Sequence, residues 1–134
     1  MRYLLDTCVV SDFVRGDPPT RERLTALRPD QIVLSSVSLM EVEYGLAIDP
    51  QRARRIGPPL RALIESVELV PYAEPEAKAT AALRAALRSR GTPIGPYDVQ
   101  IPGTALARGL VLVSSNTREF ARVQGLLVED WREP

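Results

Sequence analysis

The chain has 134 residues, and its 17 lysines and arginines balance 17 aspartates and glutamates, which suits a single domain without a general basic coat for nucleic acid. Hydrophobic residues make up 45% of the sequence, enough for a packed core, and no apolar run approaches the roughly 18 residues of a membrane span. Histidine is absent and the one lysine, Lys78, precedes an alanine, so histidine-based catalysis, histidine-ligated zinc and P-loop chemistry are excluded. A single cysteine and the lack of a signal-peptide pattern predict a protein of the reducing cytoplasm.

The first half of the chain alternates strand patterns with helical ones. Pro18 and Pro19 suit the start of a helix, and Ser38 with Glu41 three residues later matches a capping box. Gly57, which is followed by two prolines, predicts a disturbed helix. In chain order we expect a strand at 2–5, helices at 7–14 and 20–27, a strand at 32–34, and helices at 39–47 and 51–66.

The second half continues the alternation. Residues 74–90 form the clearest helical pattern, which Gly91 ends, whereas Pro102 and Gly103 predict a kink or a shortened first turn in the next helix. The remaining predicted elements are strands at 68–70, 110–113 and 127–128 and helices at 98–108 and 117–123. Strands that alternate with helices predict an α/β sandwich with a mainly parallel sheet.

Polar side chains lie at the ends of predicted strands or in the first turns of predicted helices, one of which Asp98 opens. The residues concerned are Asp6, Glu41, Asp98, Asn116 and Glu119. We expect them to converge, because the carboxyl ends of parallel strands border the functional crevice of an α/β sheet. Like charges at close range are unfavourable unless a cation joins them or their pKa values rise, and a set of oxygen donors selects Mg²⁺ or Mn²⁺ rather than zinc.

Four of these residues also have an ordinary structural explanation. Asp6 and Asp98 are good N-cap residues. Glu41 suits a solvated helix surface, and Asn116 suits a turn. Cys8 lies near a helix start, where a thiolate is stabilised, but without histidine it lacks the usual base and suits a small buried side chain. Only the joint placement of the acids favours a metal site.

Four blocks of sequence point to a known family. They are YLLDTCVVSDFVRGD, LSSVSLMEVEYGL, PIGPYDVQIPGTALARGL and LVLVSSNTREFARVQGLLVEDW. In order and spacing, these blocks resemble the PIN-domain ribonuclease toxins of the VapC type, and they extend from residue 3 to residue 131. The resemblance implies a three-layer α/β/α sandwich with a mainly parallel sheet of four or five strands, formed by one PIN-like nuclease domain over residues 1–134.

The resemblance also implies a function. It indicates a Mg²⁺-dependent endoribonuclease, with Mn²⁺ as the alternative ion and tRNA as the leading substrate. It also indicates a protein that binds a VapB-like antitoxin and forms a homodimer. It assigns metal binding to Asp6 and Asp98 and a catalytic role to Glu41. The fourth catalytic position falls on Asn116 or Glu119, and that choice stays open, as does the number of ions. Candidate phosphate-binding arginines are Arg15, Arg84, Arg88 and Arg118.

Three departures from the family pattern bear on activity. Cys8 stands where the family has asparagine, and Asn116 is neutral where many relatives have aspartate. Pro102 interrupts a run of small residues after Asp98. These departures leave open a catalytically weak or silent PIN-fold module that binds RNA or protein. A receiver domain is disfavoured because no lysine follows Lys78, and a haloacid-dehalogenase-like phosphatase because it needs aspartate at position 8.

Overall fold

A computed structural model of the protein describes residues 1–132. Its five strands form one sheet in the order β3-β2-β1-β4-β5, and every neighbouring pair is parallel. The strands are β1 (Tyr3–Leu5), β2 (Ile32–Ser35), β3 (Glu68–Val70), β4 (Val111–Val113) and β5 (Val128–Glu129). The predicted α/β fold with a parallel sheet is confirmed. Residues 133 and 134 of the predicted domain lie outside the described residues.

Seven α-helices connect and cover these strands within residues 1–132. They are α1 (Thr7–Val14), α2 (Pro18–Thr25), α3 (Ser36–Ile48), α4 (Pro50–Ser66), α5 (Glu74–Ser89), α6 (Gln100–Arg108) and α7 (Thr117–Phe120). None of the helices in this part of the chain is both long and apolar enough to cross a bilayer.

The inner strands of the sheet, β2, β1 and β4, are buried on both faces. Leu4 and Leu5, consecutive in β1, are fully buried but belong to two separate hydrophobic clusters. The cluster around Leu4 includes side chains of α5 and α6, and the cluster around Leu5 includes side chains of α1, α3 and α4. Successive strand residues face opposite sides of a sheet, so helices cover both sides and the molecule has three layers.

Helix α3 begins three residues earlier than predicted, and the predicted capping box of Ser38 and Glu41 is wrong. Ser35, the last residue of β2, caps the helix, since its Oγ accepts a hydrogen bond from the Val37 N–H at 3.0 Å. Ser38 is instead a buried residue inside the first turn. This start also sets which side of the helix carries Glu41.

Prolines disturb the helices less than predicted. Helix α2 begins at Pro18, two residues earlier than expected, with Asp17 as its N-cap. Helix α4 runs unbroken through Gly57, Pro58 and Pro59, so the predicted disturbance is wrong. Both prolines are exposed, which lets water bond to the carbonyl groups that they leave without an intrahelical partner.

Helices α6 and α7 are shorter than predicted. Asp98 does not open α6 but lies in the turn before it, and Val99 occupies the N-cap position without a side-chain hydrogen bond. Pro102 falls in the first turn of α6, where an N–H group has no intrahelical partner, so the predicted shortening is confirmed. Helix α7 ends at Phe120 because the hydrogen bonds that follow mostly join residues three apart.

Candidate active site

Asp6 lies between β1 and α1, where it is both a helix cap and a candidate metal ligand. Its Oδ1 accepts a hydrogen bond from the Thr7 N–H at 2.8 Å, and its Oδ2 accepts one from the Ser114 hydroxyl at 2.8 Å. The Sγ of Cys8 lies 3.9 Å from the same Oδ2. Desolvation raises the pKa of Asp6 and the Asp98 charge adds to the rise, while the hydrogen bonds from Ser114 and Thr7 oppose it.

Ser114 is a site residue that the sequence analysis did not identify. It is fully buried directly after β4, and its Oγ also accepts a hydrogen bond from the Asn116 N–H at 3.0 Å. The sheet explains its position, because Leu5 and Val113 pair in register across β1 and β4, so the residues that follow them lie side by side. The signal in the sequence was a hydroxyl residue directly after a strand. Ser114 follows the last residue of β4 just as Asp6 follows the last residue of β1.

The structure brings the carboxylates of Asp6, Glu41 and Asp98 together. Burial raises the pKa of Glu41, and repulsion from Asp6 and Asp98 raises it further. The Thr7 hydroxyl lies close enough to lower that pKa in part, although its buried Oγ1 makes no well-formed hydrogen bond within the described residues. These three carboxylates, called here the acid group, form no ion pair with an arginine or lysine among the described residues, although Arg52 lines the same small cavity as Glu41.

Asp98 reaches this acid group from an exposed turn. Gly95 lies against its carboxylate, since a Cβ atom on Gly95 would be 3.4 Å from Asp98 Oδ2. The helix after the turn is fixed by a close approach to α5, where Gly103 leaves no room for a Cβ beside Thr80. The packing of α5 against α6 therefore sets the position from which Asp98 enters the site.

Asn116 and Glu119 lie at the margin of the acid group. Asn116 precedes α7, and its exposed side chain does not cap that helix, so it joins the site through its backbone N–H to Ser114. Glu119 is partly buried in α7, and its carboxylate is not among the groups that shift the pKa of Asp6 or Glu41. Three of the five predicted residues thus converge by their side chains.

Sequence comparisons define the class of protein that carries this site. A family model described as the PIN domain matches residues 3–126, so the chain belongs to the PIN-domain family. The tRNA(fMet)-specific endonucleases VapC of Shigella flexneri and Salmonella typhimurium are each 37% identical to it, over 98% of both chains. Within the PIN-domain family, the chain is therefore a VapC-type ribonuclease.

Solved structures agree with this assignment. DNA-bound VapBC from Salmonella typhimurium matches with 36% identity and a TM-score of 0.88 over 98% of both chains. VapBC2 from Rickettsia felis, bound to a DNA fragment from its promoter, matches with 26% identity and a TM-score of 0.87 over 98% of this chain and 99% of that one. The family resemblance read from the sequence is confirmed. PIN-domain nucleases are generally dependent on a divalent metal ion.

The donor set of the acid group fits a hard divalent cation. Within residues 1–132, no three histidine, cysteine or acidic side chains are arranged to hold one ion between them. A small hard cation needs fewer ligands from the protein, because it keeps several waters and binds through one or two carboxylates. Asp6 and Asp98 supply two such carboxylates, and a cation between them would relieve their repulsion, which adds to the rise that burial causes in the pKa of Asp6.

Proposed function

We propose that this chain is a Mg²⁺-dependent endoribonuclease toxin that hydrolyses RNA and is neutralised by a VapB-like antitoxin. The observation that carries the proposal is the acid group of Asp6, Glu41 and Asp98, which has no neutralising cation and lies where the parallel strands end. tRNA is the proposed substrate because two relatives 37% identical to this chain are named tRNA(fMet)-specific endonucleases. The proposed location is the cytoplasm, where tRNA is found.

Asp6 and Asp98 would hold the Mg²⁺, with Mn²⁺ as the alternative ion. When bound, the ion supplies Lewis-acid polarisation of the phosphate and lowers the pKa of a water. Asp6 is oriented for this role by its hydrogen bonds from Thr7 and Ser114, so it needs little reorganisation on binding. Asp98 enters from a turn and completes the pair.

Glu41 is the proposed proton acceptor for the attacking water. Burial and the two neighbouring carboxylates make Glu41 a stronger base than an exposed glutamate, because they raise its pKa. Asn116 would support the site through its backbone bond to Ser114. The Glu119 carboxylate would add a fourth negative charge to the site, and it would act at longer range through an intervening water molecule.

The partners follow from the relatives and from one exposed surface. A VapB-like antitoxin is proposed because the similar solved structures are VapBC complexes, and an arginine from such a partner could neutralise the acid group. A homodimer is proposed through α3, on which Met40, Tyr44 and Ile48 form one apolar stripe and are 56%, 63% and 64% exposed. Light scattering should therefore show a dimer that Tyr44→Glu converts to a monomer.

Cleavage of tRNA with Mg²⁺ and with EDTA tests the activity. We expect cleavage with Mg²⁺ only, and a loss of orders of magnitude for Asp98→Asn with an unchanged circular dichroism spectrum. Asp30→Asn, which alters an exposed acid in the turn before β2, is the matched control and should cleave normally. Near wild-type cleavage by Asp98→Asn would exclude Asp98 from the site. RNA binding without cleavage by the wild type would establish the silent module instead.

A Mg²⁺ titration of the cleavage rate decides the role of Glu119. We expect Glu119→Gln to weaken activity and to raise the Mg²⁺ concentration required, because it removes one negative charge. Asn116→Asp should be tolerated or should tighten metal binding. The assignment is reversed if Glu119→Gln behaves like the wild type while Asn116→Ala is inactive.

A further inference from the structure

A shallow groove lies beside the acid group, on the far side of the turn that carries Asp98. Its volume of about 490 Å³ lies within the range of small-molecule sites, so it has room for a nucleotide-sized group. Gly95 belongs to its lining and also lies against the Asp98 carboxylate, so the groove borders the turn that carries Asp98. The residues of this groove, called here the Arg84/Arg88 groove, are Arg84, Arg88, Pro93, Ile94, Gly95 and Pro96.

The two arginines of the groove are available to a ligand. Arg84 and Arg88 are exposed, lie one turn apart on α5, and form no ion pair or side-chain hydrogen bond with any residue from 1 to 132. Neighbouring cations are engaged, since Lys78 on the same helix pairs with Glu74 and the guanidinium of Arg90, directly after the helix, donates to a backbone carbonyl. No acidic residue lines the groove. Its charge is therefore suited to phosphate groups.

An exposed aromatic residue lies on the turn that carries Asp98. Tyr97 follows the groove residue Pro96 and precedes Asp98, and it is 79% exposed. A ring with so little contact to its own protein contributes little to stability through burial. Its face is free for another flat group, such as a nucleobase.

We propose that Tyr97 and the Arg84/Arg88 groove form a subsite for an unpaired RNA strand next to the bond that is cut. A base stacks on Tyr97 while Arg84 and Arg88 bind phosphates of the same strand. This inference rests on the proposed ribonuclease function and specifies its substrate as single-stranded at this point. A duplex fits poorly, because its bases are stacked on one another and cannot stack on a tyrosine.

Fluorescence anisotropy with a labelled single-stranded oligoribonucleotide, measured in EDTA so that no cleavage occurs, tests the subsite. Tyr97→Ala should raise Kd by roughly 5-fold to 150-fold, the range measured for loss of one stacked base, and Tyr97→Trp should restore binding. Arg84→Gln combined with Arg88→Gln should lower the slope of log K against log salt by about 0.7 for each arginine. Arg54→Gln, at an exposed position on α4, is the control and should change little.

Cleavage kinetics with Mg²⁺ separate this inference from the proposed function. Tyr97→Ala should raise KM while kcat is largely kept, because the ring binds substrate without contacting the reacting phosphate. If the wild type cleaves RNA and folded Tyr97→Ala binds and cleaves equally well, the subsite is wrong and the nuclease assignment stands. If the wild type cleaves nothing but Tyr97→Ala still loses RNA binding, the subsite stands and the nuclease assignment fails. An effect of Tyr97→Ala on dimer mass or antitoxin binding alone would assign the surface to a protein partner and overturn the inference.

Discussion

Replacing Ser114 with alanine removes two hydrogen bonds from the centre of the site. The hydroxyl is fully buried, donates to Asp6 at 2.8 Å and accepts from the Asn116 N–H at 3.0 Å. A hydrogen bond to a charged group contributes about 1.5–3 kcal/mol and one between neutral groups about 1 kcal/mol. We therefore expect Ser114→Ala to lower the free energy of unfolding by about 2–4 kcal/mol near neutral pH.

The loss of stability caused by Ser114→Ala should become smaller at acidic pH. The Ser114 hydroxyl stabilises the ionised form of Asp6. The pKa of Asp6 is already above its ordinary value of 3.8, and removal of the hydroxyl should raise it further. As the pH falls through the folded-state pKa, Asp6 becomes protonated in both variants and its share of the loss disappears. The loss of stability that then remains comes only from the missing hydrogen bond of the Asn116 N–H.

Urea unfolding in EDTA, at neutral pH and at the lowest pH at which the protein stays folded, measures both effects. Ser115→Ala is the matched control, because among residues 1–132 the Ser115 hydroxyl forms one hydrogen bond, to the Cys8 Sγ at 3.4 Å, and its loss should change stability by about 0.5 kcal/mol or less. This account of the site would be refuted if Ser114→Ala lost equally much stability at both pH values, or as little as the control Ser115→Ala.

Two further predictions concern the supports of the acid group. Gly103→Ala should destabilise the protein by about 1–3 kcal/mol, because its Cβ would collide with Thr80 between α5 and α6. Gly57→Ala in α4, where a Cβ meets nothing within 4 Å, should instead stabilise by about 0.5–1 kcal/mol, and equal melting temperatures of the two variants would contradict this packing. Glu41→Gln should abolish cleavage but raise metal-free stability at neutral pH, because the raised pKa of Glu41 means that its ionised form opposes folding. That gain should vanish below the ordinary pKa of 4.5, and a loss of stability at neutral pH would show that Glu41 is held by a favourable contact.

The inner strands β1, β2 and β4 were predictable because each is short, mostly apolar and covered on both faces. The pattern at residues 2–5 and 110–113 needed only the rule that buried parallel strands are continuously hydrophobic. The carboxylates of Asp6 and Asp98 were predictable from the same framework, since residues that end strands or begin connections gather at one edge of the sheet.

The remaining features depend on three-dimensional relations that local patterns do not contain. The role of Ser114 follows from the register of β4 against β1, a pairing between segments far apart in the chain. The unbroken course of α4 depends on which side of the helix faces water, because exposed prolines can be tolerated where buried ones cannot. The start of α3 depended on which of three nearby serines caps it, and Ser35 does so.

The position of β1 in the sheet has a consequence for biosynthesis. Asp6 and Ser114, which hydrogen-bond in the folded protein, are 108 positions apart in the sequence. The strand that leaves the ribosome first lies in the middle of the sheet and must wait for β4 to arrive beside it. A nascent chain that has reached only α5 carries Asp6 without Asp98 or Ser114. A chain that ends before β4 therefore lacks part of the proposed site, whose assembly has to wait until β4 has been synthesised.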